Sequence, residues 1–301
     1  MFRAKSLFVM LGLMLSCLSI SKQSCALTSL TNQLQAIEER SGGRVGLSVI
    51  NLGNNQRINY RADERFPMGC TSKVIGVAAI LNRSQHEKAL LNKRVSYNKA
   101  ALTSWSPITS RYVNQGMSIQ QLCQAAISYS DNTAMNLLVK ELGGVSAMNE
   151  YAKTLGDKAF RQDNIWPEEA KSGGNDKRDS STPALMASNL YQLLIDNTLQ
   201  AKQHQLLQTW MLENTTGDAR IRAGVPKQWR VADKTGSGTF YGTTNDIGVI
   251  YPTHCPPIVM AVYFTQPNNK QAKPNNQIVA LVTKSVIQAL ASQDKCLRND
   301  A

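Results

Sequence analysis

Cys70-Thr71-Ser72-Lys73-Val74-Ile75-Gly76-Val77-Ala78-Ala79-Ile80-Leu81 is the stretch from which the rest of the chain is read. A polar tetrad with a thiol three residues ahead of a lysine runs into an apolar, alanine-rich segment, and the whole has helical character. Residues three apart share a helix face, so the sulfur and the lysine nitrogen lie side by side. The helical pattern begins near residue 68. Before it, Arg44 to Leu52 alternates through Val45, Leu47 and Val49, and Gly53-Asn54-Asn55 turns the chain into Gln56 to Tyr60, which predicts a β-hairpin. Ahead of the hairpin, Leu30, Leu34 and Ile37 followed by Gly42-Gly43 predict a helix over residues 27–41.

Downstream, helical signals continue. Ser118 starts an amphipathic segment through Leu122 and Ile127, Ala134 to Leu142 stops at Gly143-Gly144, and Thr182-Pro183 reads as N-cap and first helical position for a segment burying Leu185, Leu190 and Leu194. Strand signals return at Trp229 to Ala232, Thr244 to Tyr251 and Ile258 to Thr265, with turns at Gly236-Ser237-Gly238 and Pro256-Pro257. A last helix is predicted over residues 275–291. Strands at both ends with helices between imply a sheet domain, residues 27–67 and 213–301, interrupted by an all-α domain over residues 68–212. The seam between them is the natural place for a site.

At 301 residues the chain is long enough to bury a sizeable core. Arg3 and Lys5, the apolar run from Leu7 to Ile20 and the small residues Ser24-Cys25-Ala26 read as an export signal over residues 1–26. Leu15-Ser16-Cys17 has some likeness to a lipoprotein site, but Leu18 and Ile20 carry the apolar run past it. That run is short of the roughly 20 residues a membrane span needs, so no permanent anchor is expected and the mature protein is read as periplasmic or secreted. Cleavage takes Arg3, Lys5 and Lys22 and lowers the formal charge from +12 to +9. The cations are scattered, without aromatic interleaving, which argues against nucleic-acid binding. His86, His204 and His254 stand alone, with no metal-ligand spacing, so no metal and no cofactor are expected. After cleavage Cys70, Cys123, Cys255 and Cys296 remain in an oxidising compartment, too few for a disulfide framework. A bridge between Cys255 and Cys296 stays open.

Three short motifs occur in a fixed order: Cys70-Thr71-Ser72-Lys73, Ser130-Asp131-Asn132 and Lys234-Thr235-Gly236. Jointly they resemble the S-x-x-K, S-D-N and K-T-G set of penicillin-recognising acyltransferases. With Asn175-Asp176-Lys177-Arg178-Asp179 closing an Ω-type loop over residues 161–179, and Asn214-Thr215-Thr216-Gly217 before Arg220, nearly the whole mature chain resembles a class A β-lactamase. The resemblance implies an α/β plus all-α fold: an antiparallel five-stranded sheet flanked by terminal helices, with an inserted helical domain. It also implies a monomer that hydrolyses β-lactams through an acyl-enzyme. Cys70 would attack, Lys73 relay a proton, and Ser130 bridge Lys73 to the leaving nitrogen. Asn132 would bind the ligand's amide, and Lys234, Thr235 and Ser237 its carboxylate, with Arg220 in support. The N–H groups of Cys70 and Ser237 would form the oxyanion hole beside Gly236, and Trp105 would wall the ligand. The family's usual partner for Cys123 is replaced by Val77, so Cys123 is expected to be a free, buried thiol.

The chain departs from this pattern at four places. The nucleophile position holds Cys70 in place of serine, and using Ser72 instead would put it beside Lys73 on another helix face. A helix N-terminus and a nearby cation lower a thiol pKa from about 8.5, so Cys70 can be a thiolate, although sulfur also leaves well. Trp166 and Ala170 stand where the family has the glutamate and asparagine that hold the deacylating water. Glu168 and Glu169 are close by, and either could swing in, but both read as solvated loop charges. Asn164 replaces an arginine that pairs with Asp179, leaving that carboxylate without its usual partner. Two functions follow: a β-lactamase impaired in deacylation, or a non-hydrolysing acyl trap or pseudoenzyme.

Overall fold

The computed structural model describes residues 26–174 and 176–300. Apart from Ala26, the expected export signal lies outside the described residues. The chain enters through helix α1 (26–41) and then forms strands β1 (Arg44–Asn51) and β2 (Gln56–Tyr60), the expected hairpin. Three more long strands come from the other end of the chain: β3 (Arg230–Ser237), β4 (Thr244–Tyr251) and β5 (Ile258–Thr265). They complete a five-stranded antiparallel sheet in the order β2-β1-β5-β4-β3. β1 and β5 pair along their full length, from Arg44 opposite Thr265 to Asn51 opposite Ile258, joining the two ends of the chain at the centre of the sheet.

Side chains alternate between the two faces of a strand, so the apolar pattern fixes this register. Val45, Leu47 and Val49 of β1 point to one side and pack with Leu30 and Leu34 of α1 and with Val282 and Val286 of helix α9 (Asn276–Gln293). Ile247 and Val249 of β4 and Ala261 of β5 face the other side and join the core of the helical region. At the centre of that region is α2 (Lys73–Ser84), entered through a 3-10 turn at Gly69–Ser72, and every residue from Lys73 to Leu81 is buried. A helix apolar on all sides belongs in an interior.

Around α2 stand α3 (Ile119–Ser128), α4 (Asn132–Leu142), α5 (Val145–Thr154), α6 (Pro183–Leu194) and α7 (Ala201–Leu212), followed by the short α8 (Ile221–Gly224). Their boundaries follow local chemistry. Ser118 and Gln121 form a reciprocal capping box on α3, Asp131 caps α4, and Gly143 ends α4 with φ 93°. Thr182 caps α6 ahead of Pro183, as expected.

One strand end differs from the sequence reading. Gly236-Ser237-Gly238 reads as a turn, but β3 continues to Ser237, which pairs with Thr244. Gly236 is there for close approach: a Cβ on it would lie 2.4 Å from Met68 O.

Cys255 and Cys296 are bridged, with their Cα atoms 5.9 Å apart, and Cys123 is a buried free thiol. The bridge ties the β4–β5 turn to α10 (Lys295–Asp300), whose Asp300 carbonyl accepts from Trp229 Nε1 at 3.1 Å and whose carboxylate accepts from Thr253 N at 2.8 Å. Cys255→Ser should therefore destabilise the protein by about 2–4 kcal/mol, read by denaturant unfolding. An unchanged midpoint would mean that the hydrogen bonds of Asp300 hold α10 without the bridge.

Candidate active site

Gly69 takes φ 52°, and a Cβ on it would lie 3.0 Å from Ser237 N, so the 3-10 turn before α2 presses against the end of β3. This contact brings the first and third motifs together. The second arrives from the α3–α4 junction, where Ser130 adopts φ 55° and Asp131 accepts from Ile108 N, Thr109 N and Ala134 N at 2.8–3.0 Å. The buried Lys73 donates to Ser130 O at 2.6 Å, to Asn132 Oδ1 at 2.7 Å and to Ser130 Oγ at 3.5 Å. Lys234, equally buried, donates to Ser130 Oγ and to Thr235 O, each at 3.0 Å. Two ammonium groups thus face one hydroxyl.

Burial opposes ionisation of the Cys70 thiol, but the charges of Lys73 and Lys234, helped by Ser130, outweigh it and hold the thiol below its ordinary value. Burial pulls Lys234 down to about 8. Cys70 Sγ lies 3.6 Å from Glu169 Oε1 and 4.0 Å from Asn132 Oδ1.

Glu169 corrects the sequence reading. It is not a solvated loop charge but 2 % exposed, held by Ala170 N on Oε2 at 2.6 Å. Burial, and the negative charge of Cys70 beside it, push its carboxyl well above the usual range. Glu168, by contrast, is exposed and pairs with Lys171 at 2.8 Å.

Trp166 is 1 % exposed, with the Lys73 Nζ atom 5.4 Å from its ring centroid. Asn136 brackets its backbone, accepting from Trp166 N at 3.0 Å and donating to Trp166 O at 2.7 Å. Asp179 is buried and lacks an arginine, but neutral donors replace one. Asp163 N, Asn164 N and Gln162 Nε2 reach Oδ1, while Asn164 Nδ2 and Ser172 Oγ reach Oδ2, all within 3.1 Å. These bonds close the neck of the loop without the expected ion pair.

The remaining expected residues line a cleft of about 650 Å³ that includes Cys70, Ser130, Asn132, Glu169, Thr235 and Ser237. Asn132 Nδ2 gives one of its two hydrogens to Ser104 O at 2.8 Å, and Thr235 Oγ1 lies 2.5 Å from Thr216 Oγ1. Arg220, though largely buried, also borders the cleft, donating to Gly236 O at 2.8 Å, Asn245 O at 2.5 Å and Ser237 Oγ at 2.5 Å. Trp105 stands at the rim, 62 % exposed, with Nε1 on Tyr129 O at 3.0 Å. Farther back, Asp233 is held by Asn214 at 2.5 Å and by Arg222 at 2.7 Å.

Residues 29–290 match the family model described as the β-lactamase enzyme family. The chain belongs to that family. It is 47 % identical over 258 residues to β-lactamase CTX-M-97 of Escherichia coli, covering 86 % of this chain and 88 % of that one. It is 45 % identical, with the same coverage, to β-lactamase OXY-2 of Klebsiella oxytoca. A β-lactamase structure from Desulfarculus baarsii superposes with a TM-score of 0.86 at 40 % identity, over 88 % of this chain and 98 % of that one. The corresponding enzyme from Burkholderia phymatum gives 0.85 at 40 %, over 88 % and 99 %. The protein is thus a hydrolase of the class A β-lactamase family.

Two site residues were not singled out from sequence. Asn136 carries no motif. Asp233 lies next to Lys234 but belongs to none of the three motifs. Glu169 reads from sequence as a solvated loop charge, and it is the 3-10 turn Glu168–Lys171 that carries it inward.

Among the described residues Cys70 and Cys123 are the free thiols, and their electrostatics differ. At neutral pH iodoacetamide should alkylate Cys70 and spare Cys123, whose thiol is buried at 0 % exposure and pushed up by that burial. Peptide mapping that finds equal labelling would contradict the reading of Cys70.

Proposed function

We propose that this chain opens β-lactam rings through a thioester on Cys70, and that hydrolysis of the thioester is slower than its formation. The observation that carries the proposal is a sulfur beside Lys73, Ser130 and Lys234 at the floor of a cleft of about 650 Å³. The Cys70 thiolate attacks the lactam carbonyl, and the developing oxyanion meets the N–H groups of Cys70 and Ser237 beside the side-chain-free Gly236. As the C–N bond breaks, Ser130 gives its proton to the nitrogen and takes one from Lys73. Lys234, Thr235 and Ser237 receive the ligand's carboxylate, and Arg220 orients Ser237. Asn132 meets the ligand's amide and Trp105 covers the open side.

Deacylation is slow in this reading because Trp166 and Ala170 occupy the two positions from which the family holds its water. Indole N–H only donates. An acyl trap is the limit of the same scheme, and the carboxylate of Glu169 beside the sulfur favours turnover over that limit. The reading takes the protein as an exported monomer that needs no cofactor.

Two experiments test it. Cys70→Ala should gain no mass from benzylpenicillin, and Cys70→Ser should acylate faster than the thiol. An alanine variant that still became acylated would place the nucleophile elsewhere. Lys234 titrates near 8, so its ammonium is present below that pH and lost above it. kcat/KM for an anionic penicillin should therefore fall as pH rises through about 8, and a flat profile to pH 10 would remove Lys234 from carboxylate binding.

A further inference from the structure

We propose that Glu169 is the general base that deacylates Cys70, taking over from the loop position that Trp166 fills. The proposal rests on the thioester reading above. Glu169 sits on the 3-10 turn Glu168–Lys171, is buried, and points its Oε1 at Cys70 Sγ from 3.6 Å. Its other oxygen is fixed by Ala170 N at 2.6 Å, so the side chain is oriented by its own turn. A bound β-lactam would enter the cleft that both residues line.

Position 166 cannot do this work. Asn136 holds its backbone, its ring is packed among buried side chains, and an indole has no basic lone pair. Glu168 cannot either, since it is exposed and engaged by Lys171. Among the described residues lining the cleft, Glu169 is the carboxylate.

The proton balance closes around the pair. At rest Cys70 and Glu169 hold one proton between them, consistent with a thiol drawn down and a carboxyl pushed up by the same neighbourhood. Attack forms the S–C bond and breaks the lactam C–N bond. The nitrogen takes its proton from Ser130, Ser130 is resupplied by Lys73, and Lys73 regains a proton from Glu169 only after the thioester has formed. Acylation removes the negative sulfur beside Glu169, which is left as a carboxylate with Lys73 close enough to favour that form. Glu169 then takes a proton from water as the hydroxide adds to the thioester carbonyl. The C–S bond breaks, the sulfur departs with its electron pair, and the pair again holds one proton. The same change that completes acylation arms the base for the next step.

The test uses the full chain and benzylpenicillin, with time-resolved intact-mass spectrometry for the adduct and absorbance for hydrolysis. Glu169→Gln should acylate within about tenfold of the unchanged protein, while its adduct persists about 10²–10⁴ times longer and kcat falls in proportion. Glu169→Asp should shorten that lifetime again, and Glu168→Gln should leave kcat unchanged. Thermal unfolding of each variant separates a folding defect from a chemical one, and the Asp variant carries the test if Gln does not fold. An adduct on Glu169→Gln that decays as fast as on the unchanged protein would overturn the base assignment and leave the thioester intact. Loss of acylation in a folded Glu169→Gln would also overturn it, by moving Glu169 to the first step. If the unchanged protein formed neither adduct nor product, the thioester reading would fail, and this inference with it.

Discussion

Burial of two lysine ammonium groups against one serine hydroxyl is the constraint on which the site depends. Lys73 comes from the central helix and Lys234 from an edge strand, so helices and sheet must meet where Ser130 stands. Charges out of water are costly unless polar partners surround them. Ser130 O, Asn132 Oδ1 and Thr235 O supply acceptors, while the Asp233 carboxylate, paired with Arg222, adds negative charge near Lys234. The left-handed backbone of Ser130 and the bare backbones of Gly69 and Gly236 are local costs of that convergence. A thiolate at Cys70 is what this cation cluster favours, and it fits the gap that the cluster leaves.

The Ω-type loop shows how a departure from pattern is absorbed. Trp166 is held by Asn136 and buried beside Lys73, whose ammonium its ring face can meet. One tight turn later the chain returns a carboxylate to the sulfur. At the loop's neck, Asp179 keeps its place with five neutral donors instead of an arginine. A buried carboxylate needs its lone pairs satisfied, and the loop's own N–H groups do this as its backbone folds around Asp179.

Much of this was legible in the residue pattern, and the failures have physical causes. Ser118, Thr182 and Gly143 mark helix ends through short-range chemistry, so α3, α4 and α6 could be read locally, whereas α5 and α7 carry no such marks and were not read. The five strands followed from alternation and turn residues. Gly236 misled because a glycine that admits another backbone looks the same in sequence as one that turns the chain. Glu169 misled because a charged residue next to another in a loop is ordinarily solvated, and only the 3-10 turn that it sits on brings it inward. The Cys255–Cys296 bridge depended on where α10 docks, which no local pattern records.

If this cation cluster makes Cys70 the covalent centre of a turnover, the resting ionisation of its sulfur shows it most directly. Thiolate absorbance near 240 nm, taken as the difference between the unchanged protein and Cys70→Ala across pH, reports it without any ligand. The midpoint should lie below that of a free cysteine, about 8.5, because Lys73 and Lys234 outweigh the cost of burial. A midpoint above that value would mean that burial wins, that the sulfur rests as a neutral thiol, and that the lysine pair does not prepare it for attack.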